Sequence, residues 1–97
     1  MMMLTKEIRK QLPALYATEE IPTEEKDIIV KFFCPWNNWT WFAVEFDGTD
    51  RFFGLVHGFE KEWGYFSLSE MSAVTGPMGL KIERDLYFGN KKIKDIN

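Results

Sequence analysis

The sequence predicts a single small α+β domain, built on a three- to five-stranded, mostly antiparallel sheet with an N-terminal helix and a second short helix near residues 67–74. Two local patterns carry this prediction. Residues 39–54 form two apolar, strand-like runs joined by an Asp-Gly turn, and residues 64–70 have the pattern of a strand end that passes into a capped helix. Because 97 residues fit one hydrophobic core, we predict that residues 1–97 form one domain.

The N-terminal helix is predicted from apolar residues at helical spacing. Leu4, Ile8 and Leu12 recur at this spacing. Thr5 can cap the start of the helix, and Pro13 limits its continuation. We therefore expect a short amphipathic helix that lies on the sheet.

The following residues predict an exposed connection and three strands. Residues 16–27 combine a proline with five carboxylates and little apolar content, which is typical of an exposed connection. Residues 28–33 are β-branched and aromatic, so they predict the first strand. Residues 39–46 predict the second strand, and residues 51–58 pair back as the third across the tight turn at residues 47–50.

Alternation within the second predicted strand assigns its side chains to two faces. Thr40, Phe42, Val44 and Phe46 are expected on one face, and Trp39, Trp41, Ala43 and Glu45 on the other. Both sets are largely apolar, so this strand should be central in the sheet.

The last third of the chain predicts one more helix and one more strand. Residues 60–66 are expected to form a short strand or a bent edge. Ser67 and Glu70 have the spacing of a capping box that starts the second helix. Residues 80–88 predict a final strand, and the polar tail at residues 89–97 is expected to be frayed.

Composition excludes several classes of protein. The net charge of −3 argues against a protein whose affinity comes mainly from neutralising phosphates. Cys34 is the only cysteine, so an intramolecular disulfide and a multi-cysteine zinc site are excluded. No stretch approaches the roughly 18 apolar residues that cross a bilayer, and we expect a cytoplasmic protein without membrane contact.

Few residues have the pattern of a catalytic or metal site. His57 is the only histidine, and Cys34 lies in an aromatic region where a buried, inert thiol is expected. Ser67 fits helix capping better than nucleophilic catalysis. Glu60 and Glu62 would lie on one face of an extended segment, about 6 to 7 Å apart, a spacing that paired carboxylate chemistry can use. We expect no catalytic residue, no cofactor and no metal ligand.

Seven residues are candidates for binding a partner. Trp36, Trp39, Trp41 and Phe42 can form a stacking surface if one sheet face stays open, and the alternative is that they belong to the core. Arg84 is expected to form a structural ion pair across the sheet, with partner recognition as the alternative. The carboxylates that we consider for this ion pair are Glu45, Glu60 and Glu62. The partner-binding candidates are Trp36, Trp39, Trp41, Arg51, Glu60, Glu62 and Arg84.

Several motifs in the same order resemble a bacterial family catalogued as domain of unknown function 2958. The resemblance covers about residues 12–88, and its motifs lie at residues 39–42, 45–50, 52–54, 62–70 and 79–85. No activity carries over from this family. The resemblance implies a setting, since similar proteins are encoded on plasmids, integrative elements and phages beside conjugation and anti-restriction genes.

These observations lead to three hypotheses about function. The first is a non-enzymatic accessory or inhibitor protein of a bacterial mobile element or phage, which binds a host or element-encoded protein such as a defence nuclease. The second is a single-stranded nucleic-acid-binding module that uses the region 36–42 with Lys31, Arg51 and the basic tail. The third is a small hydrolase that uses Glu60 or Glu62. The sequence does not predict the oligomeric state.

Overall fold

A computed structural model describes residues 3–96 and confirms the α+β prediction. The two helices are α1 (Lys6–Gln11) and α2 (Leu68–Ala73). The strands are β1 (Asp27–Ile28), β2 (Val30–Phe33), β3 (Thr40–Phe46), β4 (Arg51–His57), β5 (Lys61–Ser67), β6 (Glu83–Arg84) and β7 (Lys91–Lys92). Three short 3₁₀ turns lie at Thr23–Glu25, Pro77–Gly79 and Ile93–Asp95. No helix within residues 3–96 is long and apolar enough to cross a membrane.

The main sheet has five strands in the order β5-β4-β3-β2-β6, and each neighbouring pair is antiparallel. β1 and β7 form a separate two-stranded sheet. β3 is the middle strand of the five, which confirms that its two apolar faces mark a central strand.

The predicted hairpin turn and both helix N-caps are present, but the capping box at Ser67 is only half formed, because the Glu70 side chain makes no return bond to the Ser67 amide within the described residues. The Thr5 hydroxyl accepts a hydrogen bond from the Ile8 amide at 3.2 Å at the start of α1. The Ser67 hydroxyl accepts one from the Glu70 amide at 3.2 Å at the start of α2. The Asp47 carboxylate accepts from three backbone amides of the β3–β4 turn at 2.8 to 3.0 Å. Each contact joins residues close in sequence, which is why these features were predictable.

The main sheet separates two cores. On one side, which we call the helix face, α1 and α2 cover a cluster of buried residues that includes Leu12, Phe32, Phe52 and Met71. On the other side, which we call the tail face, the C-terminal segment covers a second cluster. Its members are Ile28, Phe42, Val44, Leu55, Phe88 and Ile93.

A β-bulge at Val44 corrects the predicted faces of β3. Ala43 pairs with Gly54 but Glu45 pairs with the adjacent Phe53, so β3 contains one extra residue at this point. Val44 and Phe46 were predicted on one face, but Phe46 packs in the helix-face core and Val44 in the tail-face core. Strict alternation does not reveal a bulge, because a bulge shifts the pairing by one residue.

The final strand predicted over residues 80–88 is wrong in extent. Only Glu83–Arg84 pairs with β2. The residues before it form a tight loop in which the Gly76 amide bonds to the Leu80 carbonyl at 2.7 Å, and a turn follows at residues 86–87. Two residues of pairing at the sheet edge are all that these flanking turns permit.

The tail is ordered rather than frayed. β7 pairs with β1 in an antiparallel bridge, and Ile93 is fully buried in the tail-face core. Lys92 forms an ion pair with Asp27 at 2.9 Å, and Lys94 forms one with Glu25 at 3.0 Å. The polar composition of the tail hid its two apolar anchors, Ile93 and Ile96, which both pack on the tail-face core.

Candidate partner-binding cleft

An open cleft of about 450 Å³ lies at one end of the sheet, beside the turn that joins β4 to β5. Its lining comes from the start of β3, the end of β4 and the turn itself. The lining residues are Trp39, Val56, Gly58, Phe59, Glu60 and Glu62. Three of the seven predicted partner-binding residues therefore lie together in this cleft.

The β4–β5 turn fixes the aromatic wall of the cleft. The Gly58 amide donates to the Glu60 carbonyl at 3.1 Å, which closes the turn. A Cβ atom at Gly58 would lie 2.4 Å from the indole of Trp39, so the ring rests directly on the glycine backbone. Phe59 is 95% exposed, and its ring meets that of Trp39 edge-on at 5.5 Å. The turn thus places the exposed ring of Phe59 beside the ring of Trp39, which packs on Gly58.

Backbone contacts hold Trp39 in place. Its carbonyl accepts from the Cys34 amide at 3.0 Å, and its amide donates to the Asn37 side chain at 2.9 Å. Its ring also lies 6.1 Å from that of Trp41. These bonds fix the backbone of Trp39, and the contacts of its ring with Gly58 and Trp41 place the indole at the mouth of the cleft.

Glu60 and Glu62 give the cleft its charge. They alternate with Lys61 at the start of β5, so their side chains share the helix face. Both are exposed, and neither has an ion-pair partner among residues 3–96. Two unneutralised carboxylates beside two aromatic rings favour a cation as the occupant.

An aromatic row follows β4 and β5 on the tail face. The ring of Phe53 stacks on that of Trp63 at 5.5 Å and lies 5.3 Å from that of Tyr65. The Arg51 guanidinium lies 5.8 Å from the centre of the Tyr65 ring. β5 therefore has carboxylates on its helix face and aromatic rings on its tail face.

Comparison with protein families gives a match to the family described as Protein of unknown function (DUF2958), over residues 3–94. The chain belongs to this family. The matched region contains the whole cleft, α1 and the β1–β7 pair. No curated protein and no solved structure matches the chain.

In this DUF2958 chain, two of the predicted tryptophans belong largely to the core. Trp36 and Trp41 both pack against the helix-face cluster. The Trp36 indole also covers Gly76, where a Cβ atom would lie 2.5 Å from the ring. These two positions follow the core alternative. Trp39 packs against the same cluster and in addition lines the cleft.

Arg51 lies away from the other candidates. It is the first residue of β4, whereas His57 ends the same strand beside the cleft. Six residues of strand separate them, which corresponds to about 20 Å. Arg51 therefore acts with the tail-face aromatic row and does not reach Trp39.

The ion pair predicted for Arg84 is wrong. β6 and β5 are the opposite edges of the sheet, so Arg84 is about 19 Å from Glu60 and Glu62 across four strand spacings. Glu45 lies four residues along β3 from Trp41, the residue in line with Arg84, and is also out of reach. Nη1 of Arg84 is buried without a hydrogen-bond partner among residues 3–96.

Glu45 instead forms a buried polar cluster with the connection before β1. Its carboxylate accepts from the Tyr16 amide at 2.8 Å, from the Thr18 amide at 3.0 Å and from the Thr18 hydroxyl. The Lys26 ammonium donates to the Thr18 carbonyl and hydroxyl. Burial raises the pKa of Glu45, but the hydrogen bonds from Thr18 and Tyr16 and the charge of Lys26 outweigh it, so the pKa is lowered.

The described residues offer little for catalysis in the cleft. His57 stacks edge-on against Phe42 at 5.0 Å, on the tail face and away from the carboxylates. Burial and the nearby Lys61 lower the pKa of this histidine. No group of three or more potential metal ligands occurs within residues 3–96.

Sequence reasoning missed Phe59 and the tail-face row. Phe59 follows a glycine at a strand end, and that position in a tight turn is the signal that could have marked it as exposed. Phe53, Trp63 and Tyr65 were assigned only to strands, because their stacking depends on the pairing register of β4 and β5.

Proposed function

We propose that this protein is a non-enzymatic accessory or inhibitor protein that acts by binding another protein, and that the cleft receives a lysine or arginine side chain of that partner. The observation that carries the proposal is the position of two unpaired carboxylates, Glu60 and Glu62, beside the rings of Trp39 and Phe59. Carboxylates form charge-assisted hydrogen bonds with cations, and aromatic faces attract them. The acidic net charge of the chain also favours a basic partner.

The proposed setting is a bacterial mobile element or phage, and the proposed location is the cytoplasm. The partner would be a host or element-encoded protein, for example a component of host defence. The resemblance to proteins encoded beside conjugation and anti-restriction genes supports this setting.

The two other hypotheses have less support from the geometry. Phosphates of a nucleic acid would meet Glu60 and Glu62 at the cleft, and Trp36 is packed against Gly76 rather than open for base stacking. A hydrolase would need an acid, base or nucleophile to act with the carboxylates, and no hydroxyl, thiol or imidazole lines the cleft within the described residues.

The first test replaces both cleft carboxylates, as Glu60→Gln/Glu62→Gln. Blocked arginine, N-acetyl-arginine methylamide, is titrated into wild type and variant, and the shift of the Trp39 indole signal is followed by NMR. We expect the variant to bind at least about tenfold more weakly, because a charge-assisted contact of about 1.5 kcal/mol or more is removed. The matched control, Glu19→Gln/Glu20→Gln, removes two exposed carboxylates elsewhere and should bind like wild type.

Two results would contradict the cleft assignment: equal binding of blocked glutamate, or the same affinity in both double variants. The same proteins then serve as bait in a nuclease-treated bacterial lysate. A protein retained by wild type and by the control, but lost with Glu60→Gln/Glu62→Gln, is the expected partner. If a co-purifying protein is lost when the lysate is treated with nuclease, the binding depends on nucleic acid, and the nucleic-acid hypothesis would replace the proposal.

A further inference from the structure

β5 is a long strand with one unpaired edge. It contains seven residues and is the outermost strand of the sheet, whereas the strand at the opposite edge, β6, has two. Within residues 3–96 no strand pairs with the outer side of β5. Such an edge presents free amide and carbonyl groups that can pair with another chain.

The bonds at the two ends of β5 identify which groups are free. The Gly58 amide bonds to the Glu60 carbonyl at 3.1 Å, and the Leu68 amide bonds to the Asp50 carbonyl at 2.8 Å. In an antiparallel pair, hydrogen-bonded residues alternate along the strand. Glu62, Gly64 and Phe66 therefore bond to β4. The residues whose amides and carbonyls point outward are Lys61, Trp63 and Tyr65, and the amide of Ser67 points outward at the end of the strand.

The two faces beside this edge differ in chemistry. On the helix face Glu60 and Glu62 line the cleft, and a Cβ atom at Gly64 would meet nothing within 4 Å. On the tail face Trp63 and Tyr65 pack around Phe53. A strand placed along the edge would alternate between these surfaces, with every second side chain over the carboxylates and the others over the rings.

We propose that an extended segment of the partner protein adds to the outer edge of β5 as an antiparallel strand, with basic residues over the cleft and apolar residues over the aromatic row. This inference rests on the proposed function and specifies how the partner binds. Backbone pairing supplies affinity, and the alternating side chains supply specificity. The charge of the cleft selects lysine or arginine at alternate positions of the segment.

The probe is a blocked ten-residue peptide of alternating lysine and valine. Amide hydrogen exchange of the protein is measured by NMR with and without the peptide. We expect exchange to slow about tenfold at Lys61, Trp63 and Tyr65 when about 90% of the protein is bound, because these amides gain hydrogen bonds only in the complex. Unchanged exchange at all three would overturn the proposal.

Two modified peptides test the pairing itself. In an antiparallel pair, residues opposite Trp63 and Tyr65 share the tail face, so the valines supply the bonded amides. N-methylation of the valines should therefore abolish binding, whereas N-methylation of the lysines should leave it. The reverse result, or equal binding of both, would overturn antiparallel addition. A glutamate-valine peptide should not bind.

The outcomes separate this inference from the proposed function. If the lysine-valine peptide binds and depends on Glu60 and Glu62 but leaves exchange at the β5 edge unchanged, the cleft function stands and strand addition fails. If blocked arginine does not bind, the cleft function fails independently of the peptide. If the same amides become protected in the concentrated protein alone, the edge is occupied by a second copy of this chain and the proposal is overturned.

Discussion

At the scale of single residues, Glu45 joins the sheet to the acidic connection that precedes it. The carboxylate is buried and accepts hydrogen bonds from Tyr16 and Thr18, while Lys26 donates to Thr18. Tyr16 adopts a positive φ of 70°, a conformation that costs energy for a residue with a side chain. The contacts to Glu45 compensate for this strain, so the connection expected to be merely exposed is fixed to β3.

This arrangement predicts that the Glu45 carboxylate makes the stability of the fold depend on pH. The pKa of Glu45 is lowered from 4.5 in the folded protein. Its contribution is therefore complete above about pH 5 and is lost as the pH falls through the folded pKa. Glu45→Gln should lower the free energy of unfolding at pH 7 by about 1 to 3 kcal/mol, and should flatten the pH profile below pH 5.

Urea unfolding at a series of pH values between 3 and 7 measures both effects. Glu20→Gln, in the same connection but exposed, should follow the wild-type profile. If the free energy of unfolding of Glu45→Gln fell with pH in parallel with that of wild type, this carboxylate would not control the loss of stability in acid.

At the scale of elements, two paired glycines occupy different environments. Gly54 on β4 lies opposite Gly64 on β5. A Cβ atom at Gly54 would lie 1.9 Å from the Phe42 carbonyl oxygen, beside the bulge in β3, whereas one at Gly64 would meet nothing within 4 Å. The β3 backbone approaches position 54 so closely that only glycine fits there.

The pair gives a matched experiment with the same substitution on neighbouring strands. Gly54→Ala should lower the free energy of unfolding by about 1 to 3 kcal/mol, the usual cost of overpacking. Gly64→Ala should leave it unchanged or raise it by about 0.4 to 1 kcal/mol, because alanine restricts the unfolded chain. Denaturant unfolding at pH 7 measures both. Equal effects of the two substitutions would contradict the close approach at Gly54.

At the scale of the whole molecule, the C-terminal segment closes the second core. It crosses the tail face, where Phe88 and Ile93 pack with residues of β3 and β4. The family match also extends to residue 94, which places this segment within the shared region. The tail is therefore part of the fold and completes the covering of the sheet.

Ile93→Ala tests this role. Removing a fully buried isoleucine should lower the free energy of unfolding by about 2 to 5 kcal/mol. The control is Leu86→Ala at a side chain that is 56% exposed, where we expect a change below about 0.5 kcal/mol. Thermal and urea unfolding give the comparison, and similar values for the two variants would mean that the tail adds little to the core.

The predictable features of the fold are those set by neighbours in sequence. Thr5, Asp47 and Ser67 each bond to amides within four residues, and each was identified from its local pattern. The bulge at Val44 and the docking of Ile93 depend on strands distant in sequence, so local patterns did not reveal them.

In the candidate site too, residue types could be predicted from the sequence, whereas their arrangement depends on contacts between distant strands. Trp39, Glu60 and Glu62 were recognised by residue type, and the hairpin brought them together. The pairing proposed for Arg84 failed because strand order, which a single sequence does not supply, places β6 at the far edge. Phe59 was not predicted as a site residue, because a lone aromatic residue after a glycine belongs to no periodic pattern.

Because the Trp39 indole packs on Gly58 at the cleft, its fluorescence can report binding in the cleft. Indole emission depends on the polarity and the charges around the ring, and this indole lies beside two carboxylates and the space that a ligand would enter. In a variant with phenylalanine at the three other tryptophan positions, Trp36, Trp41 and Trp63, the Trp39 indole would be the single emitter. Occupancy of the cleft would then be reported by the wavelength and lifetime of the protein's own fluorescence, without an attached dye.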